Sequence, residues 1–128
     1  MAKVLLIESD CILGSDTRQI LNLAGYSVDL HVELQAAMDS ADANRPDIII
    51  LDLLLAGRSG VEFLYEFRSY PEWASVPVII YGSLSREEFS ETSIGFNHLN
   101  IAAYHYKQAT SIAQSCESVQ RILQPAVR

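Results

Sequence analysis

Apolar residues along the chain fall into two kinds of run, and the two kinds alternate from one end to the other. Short runs with strand character are KVLLI (3–7), YSVDL (26–30), DIIIL (47–51), VPVIIY (76–81) and IAAYHY (101–106). Between them apolar residues recur three and four apart, at Leu13, Thr17, Ile20 and Ala24, at Leu34, Ala37, Met38 and Ala41, and at Val61, Leu64 and Phe67. A last set comprises Ile112, Cys116, Val119 and Leu123. Each set lies on one face of a helix. Gly25, and Asn44 with Pro46, stand where the first two helices should stop. The stretch 83–100 is mostly polar with a weak apolar stripe, so its helix is expected to be short or mobile.

Strands separated by helices pair in parallel through right-handed crossovers, which predicts a doubly wound α/β sheet with helices on both faces. Strands 1, 3 and 4 are almost continuously apolar, whereas YSVDL alternates and IAAYHY is mixed. The second and fifth strands are therefore the expected edges, giving the five-stranded order 2-1-3-4-5. In that order the winding reverses between strands 1 and 3, and the site is expected beyond their carboxyl ends.

Composition narrows the possibilities. A chain of 128 residues with 49% apolar and 20% charged residues is expected to be one folded domain. A net charge of −7 argues against a direct grip on nucleic acid phosphates. The longest apolar run, Ile48 to Ala56, is too short to span a bilayer and is interrupted by Asp52, and the start MAKVLLIESD does not read as a signal peptide. A cytoplasmic setting is expected. Cys11 and Cys116 lack metal-ligand spacing and read as small reduced side chains.

Polar residues gather where the strands end. Strand 1 runs into Glu8, Ser9 and Asp10, strand 3 into Asp52, strand 4 into Gly82 and Ser83, and strand 5 into Lys107. Asp10 admits two readings, a helix cap or a member of the cluster. Asp52 follows four apolar residues, where a chance charge would be costly to desolvate. Carboxylates at one end of a sheet repel unless a cation lies among them, and hard oxygen ligands suit Mg²⁺. Lys107 can hold a phosphoryl group as a point charge.

With these residues in place, the whole chain resembles the receiver domain of bacterial two-component response regulators, a flavodoxin-like fold. VLLIESD resembles the family's first strand and acidic pair, and PDIIILDLLLAGRSG its phosphoacceptor strand and loop. VPVIIYGS resembles the fourth strand, and AAYHYKQA the fifth with its lysine. The resemblance implies a single receiver domain over 1–128 that is not an enzyme. It implies phosphoryl transfer to Asp52 from a phosphohistidine on a sensor histidine kinase or histidine phosphotransfer protein. Glu8, Asp52 and the Leu54 backbone carbonyl are the implied Mg²⁺ ligands, with Asp10 a further candidate. Lys107, with Ser83 as a second candidate, would contact the phosphoryl group. Gly82 and Tyr104 hold the switch positions, and helix 4, strand 5 and helix 5 form the implied surface for a downstream protein.

Four positions depart from that pattern. Ser9 stands where the family places a second acidic ligand. A unit-charge pair at about 4 Å is worth roughly 4 kcal/mol at an effective dielectric near 20, so weak Mg²⁺ binding is expected. Gly82 replaces the hydroxyl residue that follows the phosphoryl group, Gln108 replaces a proline after the lysine, and Ala56 one in the loop after the acceptor. Two further readings compete: a phosphorylation-independent pseudo-receiver that binds protein partners, and a small flavodoxin-like enzyme or nucleotide binder. The last lacks a glycine-rich phosphate loop, since GRSG (57–60) is too short and too late, and Gly60 reads as permitting the turn into the third helix. His31, His98 and His105 read as structural or solvated. Tyr65, Tyr70 and Trp73 are either ordinary half-buried aromatics or a docking patch.

Overall fold

A computed structural model describes residues 2–55, 58–83, 85, 87, 99 and 101–123. The five strand-like runs form β1 (Lys3–Ile7), β2 (Ser27–His31), β3 (Ile48–Leu51), β4 (Val78–Gly82) and β5 (Ile101–Tyr106). They lie in one parallel sheet, ordered β2-β1-β3-β4-β5. The helices are α1 (Cys11–Leu23), α2 (Leu34–Ala43), α3 (Gly60–Arg68) and, near the C-terminus, α4 (Ile112–Leu123), with a short 3-10 turn at Pro71–Trp73. Most of the expected helix within 83–100 lies outside the described residues.

Alternation along each strand sorts the core into two layers. Leu5, Ile7, Ile49, Leu51, Val78 and Ile80 pack with residues of α2 and α3, among them Ala37, Leu64 and Phe67. Val4, Leu6, Ile48, Ile50, Ile79 and Tyr81 pack with Leu21 of α1 and with Cys116 and Val119 of α4. Helices therefore cover both faces. β3 and β4 are buried throughout, whereas β2 and β5 are half-exposed edges, as their mixed composition predicts. Each fully buried large apolar side chain contributes about 2 kcal/mol, so the two layers hold the sheet rigid beneath its polar rim.

The four residues predicted for the α2 stripe, Leu34, Ala37, Met38 and Ala41, are all buried. The α1 stripe is displaced: Gly14, Thr17 and Leu21 are buried while Ala24 is exposed. The cause is Gly14, where a Cβ would lie 3.1 Å from Leu30 Cδ1, so its lack of a side chain lets α1 approach β2 closely. A hydropathy stripe cannot register a contact made by a missing side chain. In α3, Phe63 joins Leu64 and Phe67 in the core, and Val61 is only half-buried. β4 begins two residues later than its apolar run; Pro77 has no amide to donate and enters the ladder only through its carbonyl, which accepts from Ile49 N at 3.0 Å.

Candidate functional site at the carboxyl end of the sheet

Strand parity assembles the site. Glu8 continues the Val4–Leu6 side of β1, Asp52 the Ile48–Ile50 side of β3, and Lys107 the Ala103–His105 side of β5, so all three project toward the face covered by α1 and α4. Backbone hydrogen bonds extend the ladder one residue past each strand end. The amide of Glu8 donates to His31 O at 3.1 Å, that of Asp52 to Ile7 O at 3.0 Å and that of Lys107 to Gly82 O at 2.9 Å.

The three side chains meet. Lys107 Nζ lies 2.8 Å from Asp52 Oδ2 and 2.9 Å from Glu8 Oε1, and 3.0 Å from Glu8 Oε2. Glu8 and Asp52 are both 3% exposed. Burial pushes the Glu8 carboxyl above its ordinary value, against the opposing pull of Lys107 and of the Asp10 amide. Burial also disfavours the Lys107 ammonium, but its hydrogen bonds to Asp52 and Glu8 outweigh that and raise its pKa. Lys107 is therefore a firmly held cation between two acids, with its ammonium 5.9 Å from the centre of the Tyr81 ring. Tyr81 went unnoticed in the sequence although strand parity puts it on the same face.

Asp10 takes the first of its two readings. Its Oδ1 accepts the Leu13 amide at 3.0 Å as the N-cap of α1, and its own amide donates to Glu8 Oε2 at 3.2 Å. It thus supports Glu8 through the backbone, with its exposed carboxylate engaged at the helix end. Ser9 is half-buried between them.

Gly82 ends β4 directly beside Asp52, and a Cβ built there would lie 3.0 Å from Asp52 Oδ1. Ser83 is exposed beyond it. Tyr104 lies on the opposite face of β5 from Lys107, packed against the α2–α3 layer, and its hydroxyl donates to Ser85 O at 3.2 Å. Gly60 has a tighter role than a permissive turn. A Cβ there would lie 2.8 Å from Leu53 Cα and 2.9 Å from Asp52 O, so only glycine lets α3 start against the residue that carries the site. Leu54 opens a two-residue antiparallel ribbon, Leu54–Leu55 with Arg58–Ser59, immediately after it.

Among the described residues no group of three or more His, Cys, Asp or Glu side chains gathers to hold a metal. The donors that do converge fit Mg²⁺ in kind, because two buried carboxylates already meet one cation, and this ion commonly uses one or two carboxylates and keeps several waters. His105 is structural: its Nε2 is 2.7 Å from Ser118 Oγ, which also accepts from Arg121 at 2.9 Å. His31 closes β2, and His98 lies outside the described residues. Cys116 is buried and its thiol is pushed up to about 11 by burial, while Cys11 is exposed. Among the described residues no helix is long and apolar enough to cross a membrane.

A family model described as response regulator receiver domain matches residues 4–119. The KDP operon transcriptional regulatory protein KdpE of Escherichia coli (strain K12) is 34% identical over 87 residues, which are 68% of this chain and 37% of that protein. Response regulator ArlR of Staphylococcus haemolyticus is 36% identical over 80 residues, covering 62% of this chain and 35% of ArlR. The match thus spans little more than a third of either relative's length. Among solved structures, chemotaxis response regulator CheY4 of Vibrio cholerae superposes with a TM-score of 0.83 at 22% identity, covering 96% of this chain and 99% of that one. The Mn(2+)-bound form of response regulator Rcp1 gives a TM-score of 0.82 at 19% identity, covering 99% and 98%. These likenesses establish the same parallel five-stranded fold. By the family model that matches nearly its whole length, the chain belongs to the response regulator receiver domain family.

Proposed function

We propose that the chain is a receiver of a two-component phosphorelay in which Asp52 accepts a phosphoryl group from a phosphohistidine on a sensor histidine kinase or histidine phosphotransfer protein. The observation that carries this reading is the Asp52 carboxylate itself, 3% exposed at the end of a central strand and bonded to Lys107 Nζ at 2.8 Å. An Asp52 oxygen attacks phosphorus as the N–P bond of the phosphohistidine breaks, and the imidazole nitrogen keeps the electron pair and takes up a proton. Such transfer depends on positioning and on stabilising the charge that spreads over the phosphoryl oxygens. Lys107 supplies a cation within reach of that charge, and the missing side chain at Gly82 leaves space beside the acceptor.

Glu8, Asp52 and the Leu54 carbonyl are the residues that would hold Mg²⁺, with Asp10 committed to its helix. When bound, the ion would supply further neutralisation of the phosphoryl oxygens. Ser9 withholds one carboxylate and Lys107 competes for the other two, so binding is weak. The chain works in the cytoplasm and passes its signal by protein contact, through β5, α4 and the segment 83–100, without touching nucleic acid. Gly82 has no hydroxyl to follow a phosphoryl group, which leaves Ser83 as the nearest candidate and Tyr104 as the aromatic whose position is read.

A second reading, a pseudo-receiver that binds partners without phosphorylation, draws on the same ion triad, since Lys107 satisfies both acids with no added ligand. Amide NMR spectra with millimolar Mg²⁺ and then beryllofluoride, compared with Asp52→Asn, distinguish the two. Shifts centred on Asp52 that vanish in the variant are expected for the receiver. Resonances that stay unmoved would establish the pseudo-receiver instead. Ser9→Asp should tighten Mg²⁺ binding if the crevice is a metal site lacking one ligand.

A further inference from the structure

The strands point their carboxyl ends at Asp52, and the helices run back, so α2 and α3 end at the opposite rim of the sheet. A groove of about 220 Å³ runs along α2 to that rim, from Gln35, which donates to Asp39 Oδ1 at 3.1 Å, to Asp42, and is closed on its other side by Glu66, Tyr70, Glu72 and Trp73. Its volume is below the roughly 300–1,000 Å³ of pockets for whole small molecules and suits a side chain.

Three independent features give the groove a definite chemistry. First, its four carboxylates are exposed, and among the described residues none is ion-paired. Of the nearby arginines, Arg45 donates to Glu72 O and Ser75 Oγ, and Arg68 has the carbonyls of Leu99, Trp73 and Ala74 among its acceptors. Second, the last turn of α2 contains Asp42 and no basic residue, whereas Glu66 shares the last turn of α3 with Arg68. Asp42 thus stands at the negative end of the α2 dipole with no cation of its own helix, an arrangement that a cation entering the groove would relieve. Third, one wall is aromatic and rigid. Trp73 stacks on Phe67 at 4.8 Å and meets Tyr70 edge-on at 5.0 Å, leaving Tyr70 40% exposed.

We propose that this groove docks an arginine side chain presented by a basic segment of a partner protein, at a surface separate from the phosphorylation crevice. A guanidinium is planar, donates in a fork to carboxylates and stacks on aromatic faces. It therefore uses the acids and the exposed Tyr70 ring together, whereas a metal ion uses only the acids and a lysine stacks less well than a planar guanidinium.

Trp73 is the only tryptophan in the chain, so its fluorescence reports on the groove directly. The test titrates the protein with a capped alanine–glutamine peptide carrying a pair of arginines one helical turn apart, followed by Trp73 emission and amide NMR. Saturable binding is expected, weakened about tenfold or more by Asp42→Asn with Glu66→Gln and again by Tyr70→Ala. Neutralising remote acids by Asp16→Asn with Glu117→Gln should leave it within about twofold. Equal weakening by the remote pair would mean attraction to net charge alone and would overturn the proposal. So would the absence of saturation at millimolar peptide, or equal binding by the lysine version of the peptide or by Ca²⁺.

Discussion

Acidic residues concentrate at both ends of this sheet, and the two ends treat them differently. At the carboxyl end two carboxylates, each 3% exposed, share one ammonium. At the amino end four exposed carboxylates stand with no ion pair among the described residues. Burial accounts for the contrast: a desolvated charge demands a partner inside the protein, while water screens an exposed one at little cost. The buried end is therefore fixed by the fold, and the exposed end is open to cations from outside.

The largest expected effect is that of Lys107→Ala, which leaves two buried acids facing each other and should lower stability by about 3 kcal/mol. Urea unfolding at pH 7 measures it, and an unchanged midpoint would erase the contrast between the ends. Gly60→Ala forces a Cβ to within 2.8 Å of Leu53 Cα and should cost about 2 kcal/mol by the same measurement, because backbone cannot yield as a side chain can. Asp10→Ala removes the α1 cap at a cost of about 1 kcal/mol, with amide exchange quickening in the first turn of α1.

Near the carboxyl end of β5, two residues before Lys107, burial and then the charge of Arg121 hold His105 below its ordinary pKa of 6.5. The folded chain binds that proton less readily than the unfolded one, so stability declines as pH falls from about 6.5 toward the depressed value. The stability difference between the wild type and His105→Gln should therefore shrink on going from pH 7.5 to 5.5. Smallest of all, Asp42→Asn should raise stability by about 0.3 kcal/mol, because it removes a negative charge from the end of α2. A loss of stability instead would mean that the acid is paired within the protein, and the two ends would no longer differ.

Strands carried most of what the sequence revealed. Their period of two fixes which side chains share a face, so the edges β2 and β5 and the convergence of Glu8, Asp52 and Lys107 were legible from run composition and run ends alone. Helix packing was less legible. Gly14 and Gly60 act through what they lack, which no hydropathy pattern records, and Phe63 joined the core beside the Leu64–Phe67 stripe rather than on it. The amino-end groove was hidden for a further reason. Its walls come from two helices and a 3-10 turn, and only the crossovers bring their ends together, although Tyr70 and Trp73 already stood out as a cluster.

The Lys107 bridge also bears on what the fold requires from outside the chain. Because the cation that quiets the buried acids is covalently part of the chain, the folded state needs no metal to form, and chelation should leave it folded. An ion bound as weakly as proposed would add little through mass action. Stability would then be uncoupled from the supply of divalent ions, and urea midpoints with and without a chelator should coincide.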